Sequence, residues 1–285
     1  RAHAETEVIM VTAYGSLQSA MDCIRHGAAG FLLKPFNASE LLAISLQTAQ
    51  KKLRLDQLRP LLTTSTTLWD PEPACSNAWK ALINDYTAMN GTGSLSASNH
   101  DQISPLVPLI SDLLETKDRH LLNHGSRVSF YATLTAHRLS LSIADQQSLA
   151  LGALVHDLDL ISVSNTHVLD MDSNPQIHSP DLGARMGRAM GLSADVVQVI
   201  ALHHERWDGT GYPFGLQEDR TPLLARIVAI AQVFDDLTAD KPEGIPLSFD
   251  EAIQQIEQQA GAAFDPALTE VFCLTMREQP KQEST

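Results

Sequence analysis

With 285 residues, 44% hydrophobic and 19% charged, the chain has the composition of a soluble globular protein holding one large or two modest domains. A formal net charge of -14 argues against nonspecific attachment to DNA or to an anionic membrane, and no apolar run reaches membrane-spanning length. Cys23, Cys75 and Cys273 fit neither a disulfide framework nor a zinc spacing, so a reducing, cytoplasmic setting is expected. The first residue is Arg1 and no signal peptide is visible, which reads as a piece of something longer.

In chain order, Val8 to Ala13 is a short apolar run suited to a buried strand, and Ser16 to His26 reads as a helix stopped by Gly27. Gly30 to Phe36 reads as a second buried strand, after which Ser39 is expected to cap a helix rich in Leu and Ala. Strand, helix, strand, helix implies parallel strands with a crossover. This unit, residues 1–50, resembles the second half of a response-regulator receiver domain, with Thr12 at the switch hydroxyl and Lys34-Pro35 at the family's Lys-Pro. The half that carries the phosphoacceptor Asp has no counterpart, so phosphoryl transfer is not expected within this chain.

Residues 51–102 read as a linker with helical segments. A helix from Gln47 to Leu58 is expected to end near Pro60, and Thr63 to Thr67 and Gly91 to Ser98 are small and polar. Trp79, Leu82, Ile83 and Tyr86 recur at helical spacing and read as packing surface. From residue 103 to 280 the pattern is helical and its caps are legible. Ser179-Pro180 opens one helix and Gly191 closes it, Ser193 opens the next, Thr221-Pro222 another, Ser248 with Glu251 forms a capping box, and Asp265-Pro266 starts the last.

Nine of the eleven histidines fall between His100 and His204. His156-Asp157 ends one apolar run, and His203-His204 ends another, directly before Glu205-Arg206-Trp207-Asp208-Gly209-Thr210-Gly211-Tyr212-Pro213. Imidazole is the commonest nitrogen ligand for divalent transition metals. Glycines let backbone amides approach an anion closely, so this loop is expected to cradle a phosphate ester beside metal ions.

Together the HD pair and this eleven-residue string resemble the HD-GYP family of cyclic di-GMP phosphodiesterases, over roughly residues 115–277. The resemblance implies a mainly α fold, an all-helical bundle of the HD superfamily preceded by the partial α/β receiver fragment. It implies a metal set of His124, His156, Asp157, His178, His203 and His204, with His156 and Asp157 as the catalytic pair, and ligand contacts from Gly209, Gly211, Tyr212, Pro213 and Lys241. Iron or manganese is the implied metal, at most two ions per chain.

Three positions depart from the family. Its final aspartate falls on Gln232, its lysine after the HD pair falls on Leu160, and its glutamate before the first histidine falls on His120. Two dications about 4 Å apart repel by on the order of 16 kcal/mol at an effective dielectric of ~20, which a neutral amide offsets far less than a carboxylate. His120, Asp159 and Asp235 are candidates to compensate. Hydrolysis of cyclic di-GMP to the linear dinucleotide or GMP, weakened by Gln232 and Leu160, is one expected function. A catalytically inactive module that binds cyclic di-GMP or a partner diguanylate cyclase (a GGDEF protein) is the alternative. A generic HD-superfamily phosphohydrolase would leave the GYP string unexplained. A sensor kinase is an expected partner only for a longer chain, and a homodimer stays open.

Overall fold

The computed structural model describes residues 7–13, 28–64, 103–162, 179–239 and 245–278. Strands β1 (Ile9–Thr12) and β2 (Gly30–Leu33) pair in parallel, with Thr12 opposite Leu33. The amide of Lys34 donates to the carbonyl of Thr12, so the hydroxyl and the lysine expected from the sequence sit side by side at the carboxyl edge of the pair. Helix α1 (Ala38–Thr64) follows. Its cap is Asn37 rather than Ser39: the Glu40 amide donates to Asn37 Oδ1 and the Asn37 amide to Glu40 Oε2, a reciprocal box that leaves Ser39 inside the first turn. The helix also passes Pro60 and ends four residues later, giving up the one backbone bond that proline cannot donate.

The remaining described helices build the body: α2 (Ile103–Lys117), α3 (Arg119–Arg138), α4 (Ile143–Leu154), α5 (Pro180–Met190), α6 (Ala194–Leu202), α7 (Leu223–Thr238), α8 (Phe249–Gln258) and α9 (Pro266–Arg277). The chain is mainly α, as its sequence pattern indicates. Ser193, Ser248 and Asp265 cap where expected, the Ser248–Glu251 box is complete, and Gly191 closes α5 in the left-handed region at φ 83°. No described helix is long and apolar enough to cross a membrane.

Two apolar clusters hold the body. One gathers Leu58 of α1, Leu109, Ile110, Leu113 and Leu114 of α2, and residues of α5 and α6. The other surrounds Phe234 of α7 with Tyr131 of α3, Ile253 and Ile256 of α8, and Phe272 of α9. Ion pairs join α1 to the body above the first cluster: Arg54 donates to buried Asp112 at 2.8 Å, Lys51 pairs with Glu115, and Arg119 pairs with both Glu115 and Glu7.

The closest helix contact is between α3 and α4. A Cβ on Gly125 would lie 2.3 Å from the Leu154 carbonyl oxygen. Glycine is required there, because no side chain can flex away from a backbone oxygen. In Gly125→Ala, helix propensity favours alanine by about 1 kcal/mol, whereas overpacking against backbone costs about 3 kcal/mol. The clash wins, and thermal unfolding should shift down by roughly 4–8 °C. An unchanged or raised Tm would show that α3 and α4 can separate freely.

Candidate metal centre and GYP loop

Three helices deliver the histidines to one place. His124 lies in the second turn of α3. α4 ends at Leu154, and the chain turns through Val155 to present His156 and Asp157. His203 is the C-cap of α6. The Nε2 atoms of His124 and His156 are 3.2 Å apart. The Asp157 carboxylate faces all three rings, 3.3 Å from His156 Nε2 and 3.8 Å from His124 Nε2 and from His203 Nε2. Ligand atoms from His124, His156 and Asp157 all lie within 4.8 Å of one another, a group able to hold a metal ion.

The far nitrogens explain why the near ones converge. His156 Nδ1 is 2.7 Å from the Ala153 carbonyl, His203 Nδ1 is 2.9 Å from the Ile200 carbonyl, and His124 Nδ1 is 2.7 Å from Asp235 Oδ2. Carbonyls and carboxylates only accept, so each Nδ1 carries a proton, and the Nε2 lone pairs of His156 and His203 point at the shared centre. Burial opposes the charged form of His124, but the hydrogen bond and charge of Asp235, with Asp236 and Asp157 behind it, raise its pKa to about 9. In the metal-free chain His124 is therefore an imidazolium at neutral pH, and its Nε2–H donates to His156 Nε2. That proton occupies the place a cation would take.

Asp235, whose place sequence spacing left unresolved, is the carboxylate behind His124. It is buried, and besides His124 it accepts from Arg127, with Nε at 2.6 Å to Oδ1 and Nη2 at 2.9 Å to Oδ2. Burial disfavours its ionised form, yet the bonds from His124 and Arg127 hold its carboxyl below the ordinary carboxylate range. Gln232 lies one turn earlier on the same helix and is half-buried. Among the other compensators, His120 is exposed in the first turn of α3 and joins no part of this cluster. Asp159 is buried and accepts from the Ser179 amide at 2.6 Å, tying the 3₁₀ turn Leu158–Ser162 to the start of α5. Leu160 in the same turn is fully buried in the first apolar cluster. A side chain at 160 therefore enters the core. His178 and Lys241 lie outside the described residues, as do His100, His167, the predicted helix from Ser16 to His26 and the stripe from Trp79 to Tyr86.

The loop after His204 is organised largely from within. His204 is half-buried between His203, at 4.0 Å between ring centroids, and Tyr212, which stacks on it at 4.6 Å and 16°. Several of the loop's amides are met inside it. Tyr212 donates to the His204 carbonyl, Gly209 to the Arg206 carbonyl and Thr210 to Asp208, while Phe214 and Leu216 donate to the two oxygens of buried Glu205. The loop wraps a carboxylate of its own. Gly211 permits this fold, since a Cβ there would lie 2.3 Å from the Arg206 nitrogen, and Gly209 sits at φ 76°. Arg226 fixes the loop base, pairing with Asp265 and covering the Trp207 ring. Hydrogen bonds from Arg206 and Thr210 hold the Asp208 carboxyl well below its usual range. Burial, with the charges of Asp157 and Asp159, pushes the Tyr212 phenol up to about 12, so it stays a hydrogen-bond donor.

Such a cluster on a helical body is a candidate metal site, and the sequence matches are those of an HD domain. The model of the HD domain matches residues 108–268, more than half of the chain. The chain belongs to the HD domain family, and its GYP string places it in the HD-GYP branch. It is 26% identical over 284 residues to a Thermotoga maritima protein named "Cyclic di-GMP phosphodiesterase", covering 95% of this chain and 72% of that protein. It is 26% identical over 274 residues to the Xanthomonas campestris "Cyclic di-GMP phosphodiesterase response regulator RpfG", covering 93% and 66% respectively. A Vibrio cholerae "3'3'-cGAMP-specific phosphodiesterase 3" is 29% identical over 170 residues, covering 56% of this chain and 36% of that protein.

Removing the loop's internal anion should loosen it. Glu205→Ala strands two amides, and charge-assisted hydrogen bonds contribute about 1.5–3 kcal/mol each, so a loss of about 3 kcal/mol is expected. Glu205→Gln keeps one acceptor oxygen and should lose about half of that. Thermal unfolding and hydrogen exchange at the Phe214 and Leu216 amides check both values. Unchanged exchange in Glu205→Ala would show that another group holds the loop.

Proposed function

We propose that the chain is a metal-dependent phosphodiesterase opening a cyclic dinucleotide, cyclic di-GMP first, to its linear form. The observation that carries this reading is the convergence of the His124, His156 and His203 Nε2 atoms with the Asp157 carboxylate. The donor set fits a divalent transition metal, because the three Nδ1 protons are already committed elsewhere and the near nitrogens are aligned. Iron or manganese, at most two ions, would be held by His124, His156, Asp157, His203 and His204, with His178 assigned to the set by the family resemblance. Metal so held supplies an acidified water and neutralises charge on the phosphodiester.

The chain's own residues do the rest. Asp157 brings negative charge to the centre of the three rings. The Tyr212 hydroxyl, kept protonated, can donate to a phosphate oxygen, and exposed Phe214 offers an aromatic face to a base. Gly209, Gly211 and Pro213 shape that surface, and Lys241 is assigned to a ligand phosphate. Gln232 lowers the anionic charge available to metal, so turnover is expected to be slow. The edge that pairs Thr12 with Lys34 supports a receiver-derived input unit. In a longer chain such a unit would answer to a sensor kinase.

The test loads the protein with Fe(II) or Mn(II) under anaerobic conditions and separates cyclic from linear dinucleotide chromatographically, offering cyclic di-GMP and 3'3'-cGAMP side by side. Slow opening of cyclic di-GMP is expected, reduced more than ~100-fold in Asp157→Ala, since losing even an indirect support of a metal costs 10–100-fold. Gln232→Asp should tighten metal. Metal uptake without turnover of either dinucleotide, or no metal uptake at all, would overturn the enzyme reading in favour of a binding module.

A further inference from the structure

Asp235 invites a simple assignment as the missing metal carboxylate, displaced by one helical turn from Gln232. The geometry points elsewhere. Both of its oxygens are engaged: Oδ1 by Arg127 Nε, and Oδ2 by Arg127 Nη2 and His124 Nδ1. Arg127 sits three residues after His124 on α3, so guanidinium and imidazole rise from one face of that helix and meet the same carboxylate on α7. A guanidinium fork fixes the plane of the carboxylate it grips, which a point cation cannot do. Arg127 is itself buried, so the pair is shielded from solvent.

We propose that Arg127 and Asp235 are positioning residues, with Arg127 locking the Asp235 carboxylate so that it orients His124 instead of binding metal itself. The inference rests on His124 being a metal ligand. Held this way, the imidazole has one tautomer and one ring plane, and its Nε2 meets the axis defined by His156 and Asp157. Without the fork, Asp235 is a buried anion free to turn an oxygen toward the nearest cation, and His124 loses its orientation. The missing charge at Gln232 is therefore not restored by Asp235, whose own charge is balanced locally by Arg127.

The test has a metal-free arm and a metal arm. In metal-free protein, the His124 Nδ1 proton should give a downfield, slowly exchanging NMR signal, assigned by its absence in His124→Asn. Arg127→Gln should broaden or remove that signal, and Arg127→Lys, which restores charge without the fork, should recover it only in part. In the metal arm, Mn(II) binding followed by electron paramagnetic resonance should weaken about 10–100-fold in Arg127→Gln. Leu58→Ala, a core change where α1 packs on α2, should lower Tm without weakening Mn(II). An unchanged Nδ1 signal in Arg127→Gln overturns the positioning role whatever the metal data show. If that signal is lost while Mn(II) affinity stays that of the wild type, the role is overturned as a determinant of metal binding. Failure of the wild-type chain to bind Mn(II), with the signal behaving as expected, would instead strike the metal reading on which the inference rests.

Discussion

Backbone contact between α3 and α4 is the constraint on which the site depends. Gly125 lets the helix carrying His124 lie against the carbonyl of Leu154, two residues before His156. Side chains can change rotamer, but two backbones in contact cannot approach further or slide without breaking helix geometry. Because the residues adjoining the contact carry the imidazoles, their 3.2 Å separation follows from helix packing rather than from a bound ion. Asp157 and His203 are then added by the turn after α4 and the end of α6.

Charge is distributed around that frame in a consistent way. Asp157 faces the centre, while Asp235 stands behind His124 with Arg127 as its counter-ion, and Asp159 is spent on the Ser179 amide. A chain of net charge -14 thus keeps only part of its local negative charge available to a cation. In the absence of metal, the raised pKa of His124 fills the centre with a proton. A metal held there would displace that proton, as at any site whose ligands begin protonated.

Much of this was legible in the sequence wherever the physics is local. Ser193, Ser248 and Asp265 cap helices through atoms within three residues, and the capping box at Ser248 and Glu251 needs no tertiary partner. The convergence of His124, His156, Asp157 and His203 followed from motif resemblance. What spacing could not decide was tertiary. Gln232 and Asp235 occupy one face of α7, and only the position of Arg127 on another helix shows which of them meets His124. Leu160 lies in a 3₁₀ turn, where the 3.6-residue period does not predict which way a side chain faces, and it packs into the core. The glycines of the GYP string were read as a cradle for an external anion, because the same residues suit an internal one. That Glu205 fills the role depends on how the loop closes on itself, which composition does not reveal.

The internal carboxylate has a kinetic side. Loops that gather around a ligand's phosphate acquire their shape at the moment of encounter, and the ordering entropy is lost then. Here Glu205 settles the amides of Phe214 and Leu216 when the protein folds, so the loop is pre-organised before any nucleotide arrives. A ligand reaching such a surface would wait on diffusion and orientation rather than on a closing segment, and the lifetime of the complex would be set by how readily it leaves.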